Sequence, residues 1–208
     1  MQITRRQTGY VLAAGAVAAA VVVGRLLNAQ TSPTIAEALE LIQQSGDRLV
    51  AILDGTSDWP TKRQQVLALI EEAVDVASIA RFSLGRFWNA ANEQQRGECI
   101  RLFPAVLIGG LGRSIGAYQN LRFAVGRGAQ ANDTVHVRTT VLRQGDPPRE
   151  VIWVVGLTGG APKIVDILAE GSSLRITERD DCTSFMAHNN YSMSALIDEL
   201  RRQAEATA

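Results

Sequence analysis

The sequence has little of what reactive sites are built from. Its 208 residues include only two cysteines and two histidines. Cys99 and Cys182 stand far apart with no CxxC partner, which excludes a zinc ribbon or a dithiol motif. They read as buried free thiols, with a disulfide as the alternative in an oxidising compartment. His136 and His188 have no partner at metal or triad spacing and read as surface or turn residues. There is no Gly-x-Ser-x-Gly, no Walker loop and no His-Glu-x-x-His. Gly109-Gly110-Leu111-Gly112 falls inside a helical pattern, not between a strand and a helix, so it does not form a phosphate cradle. No catalytic residue, metal ligand set or cofactor is expected. Lys and Arg number 21, as do Asp and Glu, giving a net charge of zero. That removes any bulk electrostatic case for nucleic acid or an anionic membrane surface. Aromatics are few, so an apolar interior has to come largely from Ala, Val, Leu and Ile.

Long hydrophobic runs are missing except near the start. Arg5-Arg6 is followed by apolar residues from Tyr10 to Gly24, then a polar stretch ending at Asn28-Ala29. A bilayer-spanning helix needs ~20 apolar residues, and this run falls short. Its basic flank, short core and small residue match a signal peptide over residues 1–29. Thr4-Arg5-Arg6-Gln7 suggests the twin-arginine route, whereas Thr8 and Gly9 lack that motif's apolar pair and suit the general secretory route equally. An uncleaved anchor is the alternative. In each case residues 30–208 are expected outside the cytoplasm, as a single domain long enough to bury a core.

Within that domain helical periodicity comes first. Thr34 and Glu37 have capping-box spacing, and Ile35, Ala38, Leu39, Ile42, Leu49, Ile52 and Leu53 recur on one face. Gly55 to Pro60 breaks the helix, and a second carries Val66, Leu67, Leu69, Ile70 and Val74. Asp75 caps a short helix closed by Gly85 as a left-handed C-cap. Asn92 and Gln95 open a long stretch through Ile100, Phe103, Val106, Leu107 and Tyr118. From Leu121 the period becomes that of strands. Val135, Val137, Thr139 and Val141 face one way, and His136, Arg138 and Thr140 the other. Val151 to Leu157 is apolar on both faces and is expected at the sheet's centre. Ile164 to Ala169 completes an antiparallel sheet of about four strands. Glu170-Gly171 stops that strand, and Ser172 or Ser173 caps a helix carrying Leu174, Ile176, Phe185 and Met186. Ser192 caps a last helix with Leu196, Ile197 and Leu200 on one face. Helices, a curved antiparallel sheet and C-terminal helices make an α+β fold.

Two stretches carry a family resemblance. Val165-Asp166-Ile167, Glu170-Gly171, Ser173-Leu174 and Arg179, with a terminal Leu196-Ile197, Leu200 and Arg201, resemble the V-D-[VI]-x-x-E-G-x-S-L and L-I-x-x-L-R patterns of the MlaC family. These are the toluene-tolerance auxiliary proteins. Val76 to Trp88 resembles that family's M-A-R-x-x-L-G-x-x-W pattern. The chain departs from the pattern at Glu178, at Cys182 and in its extra glycines at 109, 110 and 112. The resemblance implies a periplasmic carrier that shuttles phospholipid between the outer and inner membranes, as the soluble part of an ABC-type system. The implied partners are the phospholipid, held as cargo and not as a cofactor, an inner-membrane ABC transporter complex with a lipid-binding ring, and an outer-membrane lipoprotein complex.

Phe82, Leu84, Phe87, Trp88, Phe103, Leu107, Leu111 and Tyr118, packed against Val137, Trp153, Ile167 and Leu174, form the candidate lipid-binding set. Their spacing alone does not separate a filled core from a hollow one; the resemblance implies the hollow one. Arg81, Arg86 and Arg179 are candidates for a lipid headgroup or for ordinary surface salt bridges. Asp166, inside an apolar strand, is either a hydrogen-bonded turn residue or the general base of a small enzyme on a cone-shaped scaffold. A hopanoid-associated carrier and a structural subunit with no ligand are further alternatives.

Overall fold

The computed structural model describes residues 32–108, 121–142 and 145–206. The expected signal peptide (1–29), Leu111, Tyr118 and the glycines at 109, 110 and 112 lie outside the described residues.

Helix α1 (Ile35–Asp54) starts on the expected capping box. The Thr34 hydroxyl accepts the Glu37 N–H at 3.2 Å, and the Glu37 carboxylate accepts the Thr34 N–H at 2.8 Å. Two donors that a helix start leaves orphaned are thereby satisfied. Helix α2 (Trp59–Ala73) is capped by Asp58, which accepts the Thr61 N–H at 3.1 Å. Pro60 lies in the first turn of α2, where its missing N–H has no intrahelical partner to lose, so it opens this helix instead of belonging to the break. Asp75 caps α3 (Val76–Leu84) through the Ser78 N–H at 2.9 Å. Gly85 then turns the chain with φ +52° and ψ −123°, positive in φ but away from the left-handed helical well expected of it. Helix α4 (Arg86–Ala90) follows at once, and α5 (Glu93–Leu107) begins on a second capping box between Asn92 and Gln95.

Strands β1 (Arg122–Ala131), β2 (Thr134–Leu142), β3 (Arg149–Thr158), β4 (Ala161–Ala169) and β5 (Ser172–Ser173) form one antiparallel sheet in sequence order. β3 is central, as its two apolar faces require, and the two-residue β5 adds a fifth strand to the expected four. Glu170 and Gly171 join β4 to β5 with φ of +52° and +81°. Paired positive φ marks a primed hairpin turn, and glycine at its second position removes the Cβ clash. The β1–β2 register slips between Val125 and Gly128, and the β3–β4 register between Val154 and Val155. The link from α2 to α3 lies along β4: Val74 bridges Ile164 in parallel, and the Asp75 N–H donates to the Ile164 carbonyl at 2.9 Å.

Helix α6 (Leu174–His188) starts on Ser173, whose hydroxyl accepts the Ile176 N–H at 3.3 Å. Of the apolar residues this helix carries, Met186 is buried and Ile176 is 52% exposed. Helix α7 (Met193–Ala206) buries Leu196, Ile197 and Leu200 as expected and is tied to α5 by Arg201, whose Nε donates to Glu98 at 3.1 Å.

Two apolar clusters result. In one, Val135, Val137 and Val155 of the sheet meet Ala38 and Ile42 of α1 and Ala73 of α2. In the other, α3 to α7 pack around Ile79, Leu84, Phe87, Phe103, Met186 and Leu196. Val74 touches both.

Candidate functional site

A cavity of about 160 Å³ lies where the two clusters adjoin. Helix α1 contributes Ile42, Ser45, Gly46 and Leu49, and α2 contributes Val66, Leu69, Ile70 and Ala73. Phe123, Trp153, Ile164 and Ile167 come from the sheet, while Val74, Ile79, Leu107 and Leu174 complete the wall. No charged or titratable side chain lines it. The Trp153 indole N–H donates to the Thr139 hydroxyl at 2.9 Å, and that hydroxyl donates to the Val151 carbonyl at 3.2 Å. With its donor satisfied, Trp153 brings no unmet polar group to the wall.

Backbone proximity sets one side of the wall. A Cβ added to Gly46 would lie 2.4 Å from two Phe123 ring carbons. The Phe123 ring therefore rests on α1 itself, and only glycine permits that approach. Phe123 also meets Trp153 edge-on, with centroids 6.0 Å apart. An ion entering here would lose its hydration without a partner, at a cost of several kcal/mol, whereas an apolar cavity of this size stays dry and accepts small hydrocarbons. The arrangement can hold alkyl groups; it has nothing with which to move a proton.

The candidate set divides between wall and core. Leu107, Trp153, Ile167 and Leu174 line the cavity. Leu84, Phe87 and Phe103 do not: they are buried among the helices of the second cluster, with Trp88 packed against it. Phe82 lies under the side chains of Arg175 and Arg179. Val137 is fully buried beneath α1 in the first cluster and does not reach the space. These six do not line this cavity: Leu84, Phe87 and Phe103 pack among the helices and Val137 beneath α1, while α3 sends Ile79 to the wall. The α1 and α2 wall residues fall outside the expected set: Ile42 and Leu49 read as one helix face, and Val66, Leu69 and Ile70 as the stripe of the next helix. The available signal was the small pair Ser45-Gly46 interrupting an otherwise large apolar stripe.

Asp166 faces away from the cavity. Its cross-strand neighbour is Val154 and, beyond that, His136, and all three border a polar groove on the other side of the sheet. Asp166 Oδ1 accepts the N–H of Ile167 at 2.8 Å and of Arg175 at 3.2 Å, Oδ2 accepts the Ser173 hydroxyl at 2.6 Å, and the Arg175 guanidinium is 3.3 Å away. At 4% exposure it clamps the start of α6 to the end of β4, which is the turn reading and leaves no free lone pair aimed at the apolar space. Glu170 likewise meets Arg149 at 2.7 Å. The motif residues around the β4–α6 turn thus hold the turn.

Cys99 and Cys182 are free and buried in the helical cluster. Burial pushes Cys99 up to about 11, and burial with nearby Glu178 pushes Cys182 up to about 12, so neither is a thiolate nucleophile near neutrality. His188 Nδ1 lies 2.7 Å from the Ser184 carbonyl in its own helix. Among the described residues no group of three or more His, Cys, Asp and Glu side chains is placed to hold a metal ion, and no helix is long and apolar enough to cross a membrane.

No curated protein matches. A phospholipid-binding protein from Ralstonia solanacearum, solved in complex with a phospholipid, superposes with a TM-score of 0.69 at 21% identity, over 82% of this chain and 98% of that one. That likeness concerns the fold. The family model described as MlaC protein matches residues 43–202, which include both stretches of sequence resemblance and most of the cavity wall. The chain belongs to the MlaC family.

Proposed function

We propose that this protein binds a phospholipid, or a lipid of similar shape, as cargo and carries out no bond chemistry. The observation that carries the reading is the uncharged cavity between α1, α2 and the sheet. Family membership supports it, as does the phospholipid held by the Ralstonia solanacearum protein of the same fold. Each methylene taken from water is worth ~0.8 kcal/mol, so two acyl chains free in solution cost tens of kcal/mol. A wall as apolar as a bilayer interior makes transfer from membrane to protein nearly neutral. Cargo then moves in either direction, and partners set the direction.

The cavity as it stands has room for a fragment of a tail. An apolar cavity of about 150 Å³ accommodates benzene, and this one is about 160 Å³. Holding two tails therefore requires α1 and α2 to separate from β1 and β3. The Gly46–Phe123 contact is the natural parting line, since it is held by dispersion and not by hydrogen bonds.

The reading extends to an exported protein working in the periplasm, between an outer-membrane lipoprotein complex and an inner-membrane ABC transporter complex with a lipid-binding ring. Native mass spectrometry of protein purified from its own cells tests the cargo. A co-purifying phospholipid mass is expected. A hopanoid mass would move the reading to a polycyclic lipid, and a clean apo mass would end it.

A further inference from the structure

Away from the cavity, arginine side chains lie on aromatic rings across α3, α4 and α6. The guanidinium carbons of Arg175 and Arg179 lie 4.7 and 5.2 Å from the Phe82 centroid. That of Arg86 lies 4.9 Å from Phe87 and 5.6 Å from Tyr191, two rings that stack on each other at 6.0 Å. Gly85 joins the two groups, because a Cβ there would sit 3.4 Å from Arg179 Nε. Arg175 is paired with Asp166. Among the described residues, no carboxylate lies within ion-pair distance of Arg86 or Arg179, so the surface-salt-bridge alternative does not hold for either.

Two further features adjoin these arginines: Ile176 follows Arg175 on α6 and also borders the polar groove, and Tyr191 lies beside Arg86. Ile176 and Tyr191 are 52% and 56% exposed, so neither serves the core. Asn190 and Tyr191 hold φ of +52° and +57°. A bulky residue in that region is strained by roughly 1–3 kcal/mol, and here the strain presents a ring to solvent beside Arg86.

We infer that this face is a docking surface for a folded protein partner that presents carboxylates. Arginine and tyrosine carry interface energy out of proportion to their number, and the planar guanidinium fork matches carboxylate geometry. Stacking fixes Arg86 and Arg179 before a partner arrives, so less ordering remains to be done on contact. Charge favours a protein over a bilayer. The chain is neutral overall, and Asp180 and Asp181 follow Arg179 directly on α6. Binding to an anionic bilayer rests on clusters of roughly 4–8 Lys and Arg, whereas two stacked guanidinium groups suit a structured partner that aligns its carboxylates with them. The surface needs no cargo in order to work.

The test uses the full chain produced in its own cells with a photo-reactive phenylalanine analogue at Ile176 and, as control, at Glu40 on α1. The expected result is an adduct at Ile176 to one identifiable protein, joined at a site flanked by Asp or Glu, and none at Glu40. Arg86→Glu and Arg179→Glu should each reduce its yield by at least about tenfold, since like charges face each other across the interface. A partner Glu→Arg change should restore it. Arg86→Gln, which leaves the fold's other contacts in place, should give an intermediate loss. Lipid content per protein, read in the same samples, should be unchanged. Absence of an adduct, or a yield indifferent to charge reversal, overturns the inference. So does binding of the purified protein to phosphatidylglycerol vesicles with the same dependence on Arg86 and Arg179, which would make the face a membrane contact. Loss of lipid from the parent protein would instead count against the cargo reading and leave the docking face standing.

Discussion

Replacing Leu107 with tryptophan should expel cargo without unfolding the protein. Leu107 projects from α5 into a wall enclosing about 160 Å³. A space that size admits roughly six carbons, judging from an apolar cavity of about 150 Å³ that takes up benzene. At ~0.8 kcal/mol per methylene, filling it is worth about 5 kcal/mol to a bound tail. An indole that occupies half the room removes ~2.5 kcal/mol, or roughly 70-fold in lipid retention. The cavity absorbs the added ring, so the melting temperature should change little. Leu84→Trp provides the contrast. Leu84 is 1% exposed in the packed helical cluster, where overpacking costs about 1–3 kcal/mol, yet lipid per folded molecule should be unaffected. The assays are the dissociation rate of a fluorescent phospholipid, the lipid extracted per mole of protein, and thermal melts. If Leu107→Trp keeps its full complement of lipid, or Leu84→Trp loses it, the cavity is misassigned.

Gly46→Ala should destabilise despite a helix-propensity gain of about 1 kcal/mol, because the new methyl meets the Phe123 ring; Phe123→Leu in the same chain should recover most of the loss, and simple additivity of the two in thermal melts would refute the contact. Asp166→Asn removes the charged acceptor at the β4–α6 turn. It should cost about 1–3 kcal/mol, with lipid per folded protein unchanged; a specific loss of lipid, or of turnover on an apolar substrate, would contradict its structural role. Burial, and then Asp181, holds the Glu178 carboxyl above the ordinary range. The folded state therefore keeps a proton that the unfolded chain releases, and stability present below the usual glutamate pKa is lost as pH rises through the raised folded value. Glu178→Gln should accordingly melt above the parent at neutral pH and match it below about pH 4; a parent that is the more stable at neutral pH would reverse the sign.

Local rules carried much of the fold. The Thr34–Glu37 and Asn92–Gln95 boxes started α1 and α5 where their spacing indicated, and alternation in β2 separated buried Val135, Val137 and Thr139 from His136 and Arg138. The cavity was less legible, because a lining leucine and a core leucine have the same hydropathy and the same helical period. Phe87 and Phe103 read as wall residues for that reason, although α4 and α5 carry them into the helical cluster. In β4, strict alternation would put Ile164 and Asp166 on one face. The register shift against Val154 and Val155 breaks the count, so Ile164 and Ile167 both reach the cavity while Asp166 turns to the opposite side. A bulge of this kind depends on the facing strand, and β4's own residues do not encode it.

The slip in β1 matters beyond its own strand. β4 is covered toward one end by Val74 and toward the other by β5, which leaves β1, among the described residues, as the long flank of the sheet without a strand partner. That flank is bent between Val125 and Gly128, and it carries exposed Arg122 and Arg127. A second copy trying to zip onto it would find a ribbon too crooked for continuous pairing and positive groups set against its own. Chain-to-chain stacking is thereby disfavoured by shape, in a molecule whose balanced charges offer no general repulsion.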